Sequence, residues 1–377
     1  MGHIHKRTHI FALVIALILG VFSNPSWAAD PIVVGRSLPL TGPLQSYGEA
    51  KRDGGDAYIE KVNKAGGVKG QTIKLVTLDD QYQPAKTVAN LKEMAAQQMP
   101  VAFLGLFGVP TIAAALPVIA ELKIPVVGLT SGTNAVRTPH NPYVFPVRAS
   151  YADEARKLVG HVKTIGITKI SIVYTDNPFG ESVKDTLLEA LKAEGLSASA
   201  FKMDPPGANA AKTVAEAVKT QPQAIFLTML SQGAVPVIRE VKKTSSRSQL
   251  YAFSPVDTTV LLKELGTTAA GLSVTQIVPI PAGIRIKVVS EYLQALTEMG
   301  RGTPSFYGLE GFIEAKVLVE GLRLTGTASG SAALVKALET MRDYDAGAYF
   351  VSYAPGDHVG SRFVEINVID SAGAIKR

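Results

Sequence analysis

Cysteine is absent from the 377-residue chain. That excludes disulfide scaffolds, thiolate nucleophiles and cysteine-ligated zinc or iron–sulfur centres together. Histidine is scarce, at 6 residues, and tryptophan occurs once, so histidine-based catalysis or metal binding has little to work with. Charged residues make up 19% against 46% hydrophobic. This is too little charge for a disordered chain and enough apolar material for a large core. At roughly 150 residues per domain, the length suggests two domains or one two-lobed unit. Neither a G-x-x-x-x-G-K-[ST] phosphate loop nor a G-x-G-x-x-G fingerprint nor a G-x-S-x-G elbow occurs, which argues against nucleotides and against a serine nucleophile.

The formal net charge is +6, but the basic residues are dispersed. Their densest cluster, Lys242-Lys243-Thr244-Ser245-Ser246-Arg247, is short and has no aromatic residue inside it. It reads as a solvated helix end, and no nucleic-acid partner is expected.

Residues 1–28 have the layout of a cleaved secretory signal peptide. Lys6 and Arg7 precede the apolar run Ile10 to Phe22, and Pro25 then leads to small residues before a cleavage point after Ala28. The run is shorter than the roughly 20 residues a membrane span needs. The mature chain would be exported and soluble, keeping His140, His161 and His358 and no tryptophan. Without cysteine it must be held by its core alone.

Beyond the leader, short apolar strands alternate with helical stretches. Ile32–Leu38, Ile73–Leu78, Val101–Leu104 and Val126–Leu129 read as strands, separated by helices over Glu49–Ala65, Lys86–Gln98 and Thr111–Leu122. A second such series runs from 153 to 277. Helices near Ile286–Met299, Phe306–Leu324 and Ala332–Arg342 follow, then strands Tyr349–Tyr353 and Phe363–Ile369. This order predicts an α/β fold of two doubly wound parallel-sheet lobes. The Pro-containing stretches Tyr143–Ala149 and Gln276–Gly283 lack helical period and read as crossovers. The expected division is residues 29–146 with 279–348 in the N-terminal lobe and 147–278 with 349–377 in the C-terminal lobe.

In open α/β sheets ligands sit beyond the carboxyl ends of the strands, so the strand-to-helix turns are the place to look. The first, Leu38 to Glu49, presents Tyr47. The second, Gly105 to Thr111, has glycines at 105 and 108 that would let a ligand approach the backbone, beside Phe107 and a helix start at Pro110. The third, Thr130-Ser131-Gly132-Thr133-Asn134, is rich in hydroxyls suited to a carboxylate. The fourth, Tyr174 to Glu181, offers Phe179. None of the three retained histidines is spaced to serve as a base beside Ser131. The acidic pair Asp79-Asp80 reads as a solvated loop, and neither metal nor cofactor is expected.

Pro39-Leu40-Thr41-Gly42-Pro43 with Tyr47-Gly48, Asn63-Lys64-Ala65-Gly66-Gly67-Val68-Lys69-Gly70, Asp79-Asp80 followed by Pro84, and the Tyr174–Glu181 turn together resemble the leucine/isoleucine/valine-binding protein family of periplasmic solute-binding proteins. The resemblance spans the mature chain. It implies the type I periplasmic-binding fold, with two lobes joined by three crossovers around a ligand cleft. It further implies delivery of a solute to an ABC-transporter permease without enzymatic activity. By matching position, Gly108, Ser131, Gly132 and Thr133 would hold a ligand carboxylate, and Tyr47 and Phe179 would flank it. Two departures stand out. Family members that bind amino acids carry serine where this chain has Gly108. They also carry an acid where this chain has Pro255, with Asp257 two residues on, and an aromatic where it has Leu230.

The expected function is therefore that of a monomeric periplasmic protein that takes a small carboxylate, in the first place a hydrophobic or branched-chain amino acid. Asp257 would then pair with the ligand ammonium. If Asp257 does not reach the ligand, an amine-free aromatic or aliphatic carboxylate is the alternative, with Phe107 and Leu230 among its apolar walls. A ligand-sensing subunit of a receptor is the alternative of another class.

Overall fold

A computed structural model describes residues 30–327 and 329–377; the expected signal segment lies outside them. No helix among the described residues is long and apolar enough to cross a membrane.

The first sheet contains β1 (Ile32–Leu38), β2 (Ile73–Asp79), β3 (Ala102–Phe107), β4 (Val126–Thr130) and β5 (Val144–Phe145), in the order β2-β1-β3-β4-β5. All its pairings are parallel. Helices α1 (Gln45–Lys64), α2 (Pro84–Gln98) and α3 (Val109–Leu122) connect its first four strands. β3 and β4 are buried along their whole length, as uninterrupted apolar strands with helices on both faces must be.

The second sheet is entered through α4 (Tyr151–Thr164). It is built by β6 (Ile170–Thr175), α5 (Pro178–Ala193), β7 (Ala198–Met203), α6 (Ala210–Lys219), β8 (Ala224–Thr228), α7 (Ser231–Lys243), β9 (Gln249–Ala252), α8 (Thr258–Leu265) and β10 (Ser273–Gln276). The chain then returns to the first lobe for α9 (Lys287–Met299), α10 (Phe306–Leu324), α11 (Ser331–Leu338) and the hairpin β11 (Tyr344–Asp345) to β12 (Phe350–Val351). It ends in the second sheet with β13 (Glu365–Ile369) and β14 (Ile375–Lys376), giving the order β14-β13-β10-β9-β8-β6-β7. The α/β architecture of two mostly parallel sheets is as expected. One detail differs: β13 and β14 pair antiparallel. β13 arrives from the other lobe through a loop rather than a crossover helix, so nothing imposes a parallel pairing.

The third lobe-to-lobe passage also differs from the expected break between 348 and 349, which would cut the β11–β12 hairpin. Tyr349, Val351 and Tyr353 are buried in the first-lobe core with Phe145 and Leu309. The Tyr349 hydroxyl donates to Ile277 O and the Tyr353 hydroxyl to Pro146 O, both at 3.1 Å. We therefore place this passage between Tyr353 and Glu365. The two tyrosines tie all three connecting segments together.

Two buried charge clusters stabilise the lobes. In the first, the Glu154 carboxylate accepts from Arg148 Nη2 at 2.7 Å, from Ser254 N and Oγ at 2.9 Å each, and from Thr275 Oγ1 at 2.6 Å. It fastens the first crossover to the second lobe. In the second, Lys51 of α1 lies 2.8 Å from Glu314 and 3.6 Å from Glu310 of α10. Gly128, at φ 76°, makes room for this cluster: a Cβ there would lie 2.1 Å from Glu314 Cδ. Burial raises the Glu314 pKa from 4.5 to about 8; Lys51 opposes the shift and Glu310 adds to it.

The folded chain thus keeps a proton at Glu314 that the unfolded chain releases from about pH 4.5 upward. The stabilisation this contributes is complete below that pH and is lost as pH rises through about 8. In urea denaturation between pH 5 and pH 9, about the window spanned by the two states, Glu314→Gln should fall off less steeply with pH than the parent. Equal slopes would show that Glu314 is ionised in the folded protein.

Candidate functional site

A cavity with about 20 Å³ of water-accessible volume lies between the lobes, beyond the carboxyl ends of β3 and β4. That is room for about one water molecule, well below the roughly 300–1,000 Å³ of ligand pockets, so the lobes must part for a larger molecule to enter. Phe107, Gly108 and Thr130 line it from the first lobe, Phe179 and Leu230 from the second, and Arg148 from the first crossover. Tyr82, Val109, Tyr151, Pro255 and Tyr307 complete the wall.

The wall is assembled largely from helix starts. Val109 is the first residue of α3 and Tyr151 the first of α4. Phe179 is the second residue of α5, and Leu230 is the cap of α7. Local sequence makes these starts. Ser150 and Asp153 form a reciprocal capping box, and the Asn177 side chain accepts from Gly180 N at 2.8 Å. Four positive helix ends converge on one small volume, an arrangement that favours an anion.

Tyr82 is placed by the Asp79-Asp80 pair, which is not the solvated loop expected. Asp80 is fully buried and accepts from Ser37 Oγ at 2.9 Å, Thr87 Oγ1 at 3.0 Å and Tyr82 N at 2.9 Å. Asp79 holds Leu40 N and Gln81 N. These bonds set Gln81 and Tyr82 in the left-handed region and lay the Tyr82 ring over Gly108, where an added Cβ would sit 2.2 Å from Tyr82 Cε2. The ring thus takes the room that any side chain at position 108 would need. Gly105 likewise faces Glu314 and Lys51 rather than a ligand.

The expected site residues divide. Phe107, Gly108, Phe179 and Leu230 are brought together on the cavity wall. Tyr47 is buried behind Phe107, with ring centroids 6.0 Å apart, and its hydroxyl donates across the cleft to Ser231 Oγ at 2.9 Å. Ser131, Gly132 and Thr133 lie behind the wall. Ser131 Oγ accepts from Thr133 N within its own turn, Gly132 O accepts from Tyr151 N at 2.8 Å, and Thr133 O accepts from Arg137. The turn supports Tyr151, and the hydroxyl on the wall belongs to Thr130. Asp257 is absent from the wall: it caps α8 by accepting from Thr259 N at 2.8 Å, and burial raises its pKa.

Sequence reasoning missed Tyr82, Arg148, Tyr151 and Tyr307, and it named Thr130 only as part of the hydroxyl-rich turn. A signal existed for Arg148, the lone charge in the apolar crossover Tyr143–Ala149. Its guanidinium is 2% exposed. Burial works against its charge, but Glu310 and Glu154 outweigh that and raise its pKa. Nη2 is spent on Glu154 and Ser254 and Nε on Ala149 O, while Nη1 has no hydrogen-bond partner among the described residues. Thr130 Oγ1 is likewise buried without a partner. No group of three or more potential metal ligands occurs among the described residues.

Two α/β lobes around a small interlobe cavity define a ligand-binding protein of the hinged two-lobe class. The chain belongs to the periplasmic binding protein family, whose model matches residues 31–374. It is similar to an amino acid binding protein of Pseudomonas aeruginosa, 23% identical over 269 residues and 70% of each chain. It is also similar to Leu/Ile/Val-binding protein homolog 3 of Brucella melitensis, 20% identical over 351 residues and 92% of each. The crystal structure of a substrate-binding periplasmic protein from Ralstonia solanacearum superposes with a TM-score of 0.85 at 32% identity, over 91% of this chain and 99% of that one.

Gly108 has φ 90° and ψ 152°, a region open essentially to glycine alone. Gly108→Ala should cost about 1–3 kcal/mol of unfolding free energy. In urea titrations, combining it with Tyr82→Ala should cost less than the two single effects together, since the clash is removed once. Full additivity would mean that ring and Cβ do not compete.

Proposed function

We propose that this protein is exported to the periplasm, captures a small carboxylate between its lobes by closing on it, and hands it unchanged to the permease of an ABC transporter. The observation that carries this reading is the cavity walled from both lobes, with helix starts converging on it. The cleft is bridged by hydrogen bonds that only a closed form makes. They are Tyr47 Oη to Ser231 Oγ, Gln232 Nε2 to Pro43 O at 3.0 Å, and Tyr307 Oη to Pro255 O at 3.3 Å. A ligand that touches both lobes favours this form by its differential affinity for it. Hinge closure of two lobes around a ligand is the general motion of periplasmic binding proteins.

Relatives named for amino acids support a hydrophobic or branched-chain amino acid as the ligand. The composition of the wall supports the amine-free alternative, since no acidic residue lines it. In both readings the protein is a monomeric binder without turnover.

A thermal-shift screen of hydrophobic amino acids and their amine-free counterparts should yield a ligand that raises the melting temperature with concentration, and small-angle scattering should show compaction on its addition. Tyr47→Phe should weaken that ligand about fivefold by calorimetry, the worth of one net hydrogen bond, without altering the wall. Binding with no compaction would sink the closure mechanism.

A further inference from the structure

We propose that the cavity takes a carboxylate that carries no amine, with an aromatic or branched apolar body, and that Arg148 Nη1 and Thr130 Oγ1 hold the carboxylate. This rests on the reading of the interlobe cavity as the ligand site. Among the described residues the two groups are unpartnered polar atoms of the wall, as are the hydroxyls of Tyr82 and Tyr151, and of these only Arg148 carries a positive charge. Thr130 Oγ1 is buried with no partner. Arg148 commits Nε and Nη2 to the crossover and to Glu154, leaving one guanidinium nitrogen for the cavity it lines. A carboxylate set there receives charge-assisted hydrogen bonds and the positive ends of the surrounding helices.

An ammonium group finds nothing equivalent. The wall contains no acid. Asp257 serves α8, and both Glu154 oxygens are occupied. Glu310 has a buried oxygen with no hydrogen-bond partner among the described residues, 3.6 Å from Lys51, and its charge already acts on Arg148; it does not line the cavity. The five aromatic residues of the wall resemble a cage for a quaternary ammonium. However, Arg148 Cζ already lies 5.3 Å from the Tyr151 ring centroid, and a second cation would be set beside the first. A buried amine would stay unpaired, which favours its omission from the ligand. The rings and Leu230 instead suit the apolar body of an acid.

The test compares matched pairs by calorimetry on the mature protein: hydrocinnamate with L-phenylalanine, isocaproate with L-leucine, plus hydrocinnamamide and choline. The amine-free acid of at least one pair should bind about tenfold or more tightly than its amino acid, and more tightly than the amide or choline. Thr130→Val should weaken the acid about tenfold and leave the amide unchanged. Arg148→Lys keeps the charge but not the fork and should weaken the acid by a similar factor, about tenfold. Should that variant not fold, Thr130→Val decides: an unchanged acid affinity overturns the assignment. Amino acids binding as tightly as their counterparts, or choline binding best, overturn it too and leave the proposed function standing. If neither acids nor amino acids bind, the proposed function falls with it.

Discussion

The buried pair between Arg148 and Glu154 is the constraint on which the rest of the cavity depends. Two charges taken out of water are stabilised only when their remaining hydrogen-bonding capacity is met. Glu154 meets its own with Arg148, Ser254 and Thr275. These partners come from the first crossover, the loop after β9, and β10 beside the second crossover. One carboxylate therefore fixes how the connecting segments leave the second lobe. It also fixes α4, whose first residue, Tyr151, forms part of the wall. Arg148 does not satisfy itself so fully, and it lines the interlobe cavity.

On the first lobe the same logic operates through backbone rather than charge pairing. Asp80 holds the turn that sets Tyr82, Tyr82 occupies the space above Gly108, and Gly108 starts α3. The space a side chain at position 108 would take is closed by an aromatic ring, so this stretch of the wall is apolar, and Thr130 and Arg148 bring polar atoms to it elsewhere.

Much of this architecture was legible in the chain. Uninterrupted apolar strands such as Val126–Thr130 declare burial on both faces, and the alternation with helices declares parallel sheets. Phe107, Gly108, Phe179 and Leu230 line one cavity because a doubly wound sheet brings its strand-to-helix turns together at one edge. Asp257 was misplaced because a two-residue offset decides whether a carboxylate caps its own helix or reaches a cleft. The Ser131–Thr133 turn was misjudged because alternation along the chain leaves open which of Thr130 and Ser131 faces the cavity.

Absence of cysteine, scarcity of histidine and the order of strands and helices determined, without coordinates, a binding fold poor in reactive groups. These are properties of composition and local pattern, set by short-range propensity and by burial. Only the tertiary structure decided which polar atoms stay unpaired, because that depends on contacts between residues far apart in the chain. Arg148 meets Ser254, Tyr82 meets Gly108, and Tyr47 meets Ser231. Local sequence carries no record of such meetings, yet they decide which polar groups the cavity presents.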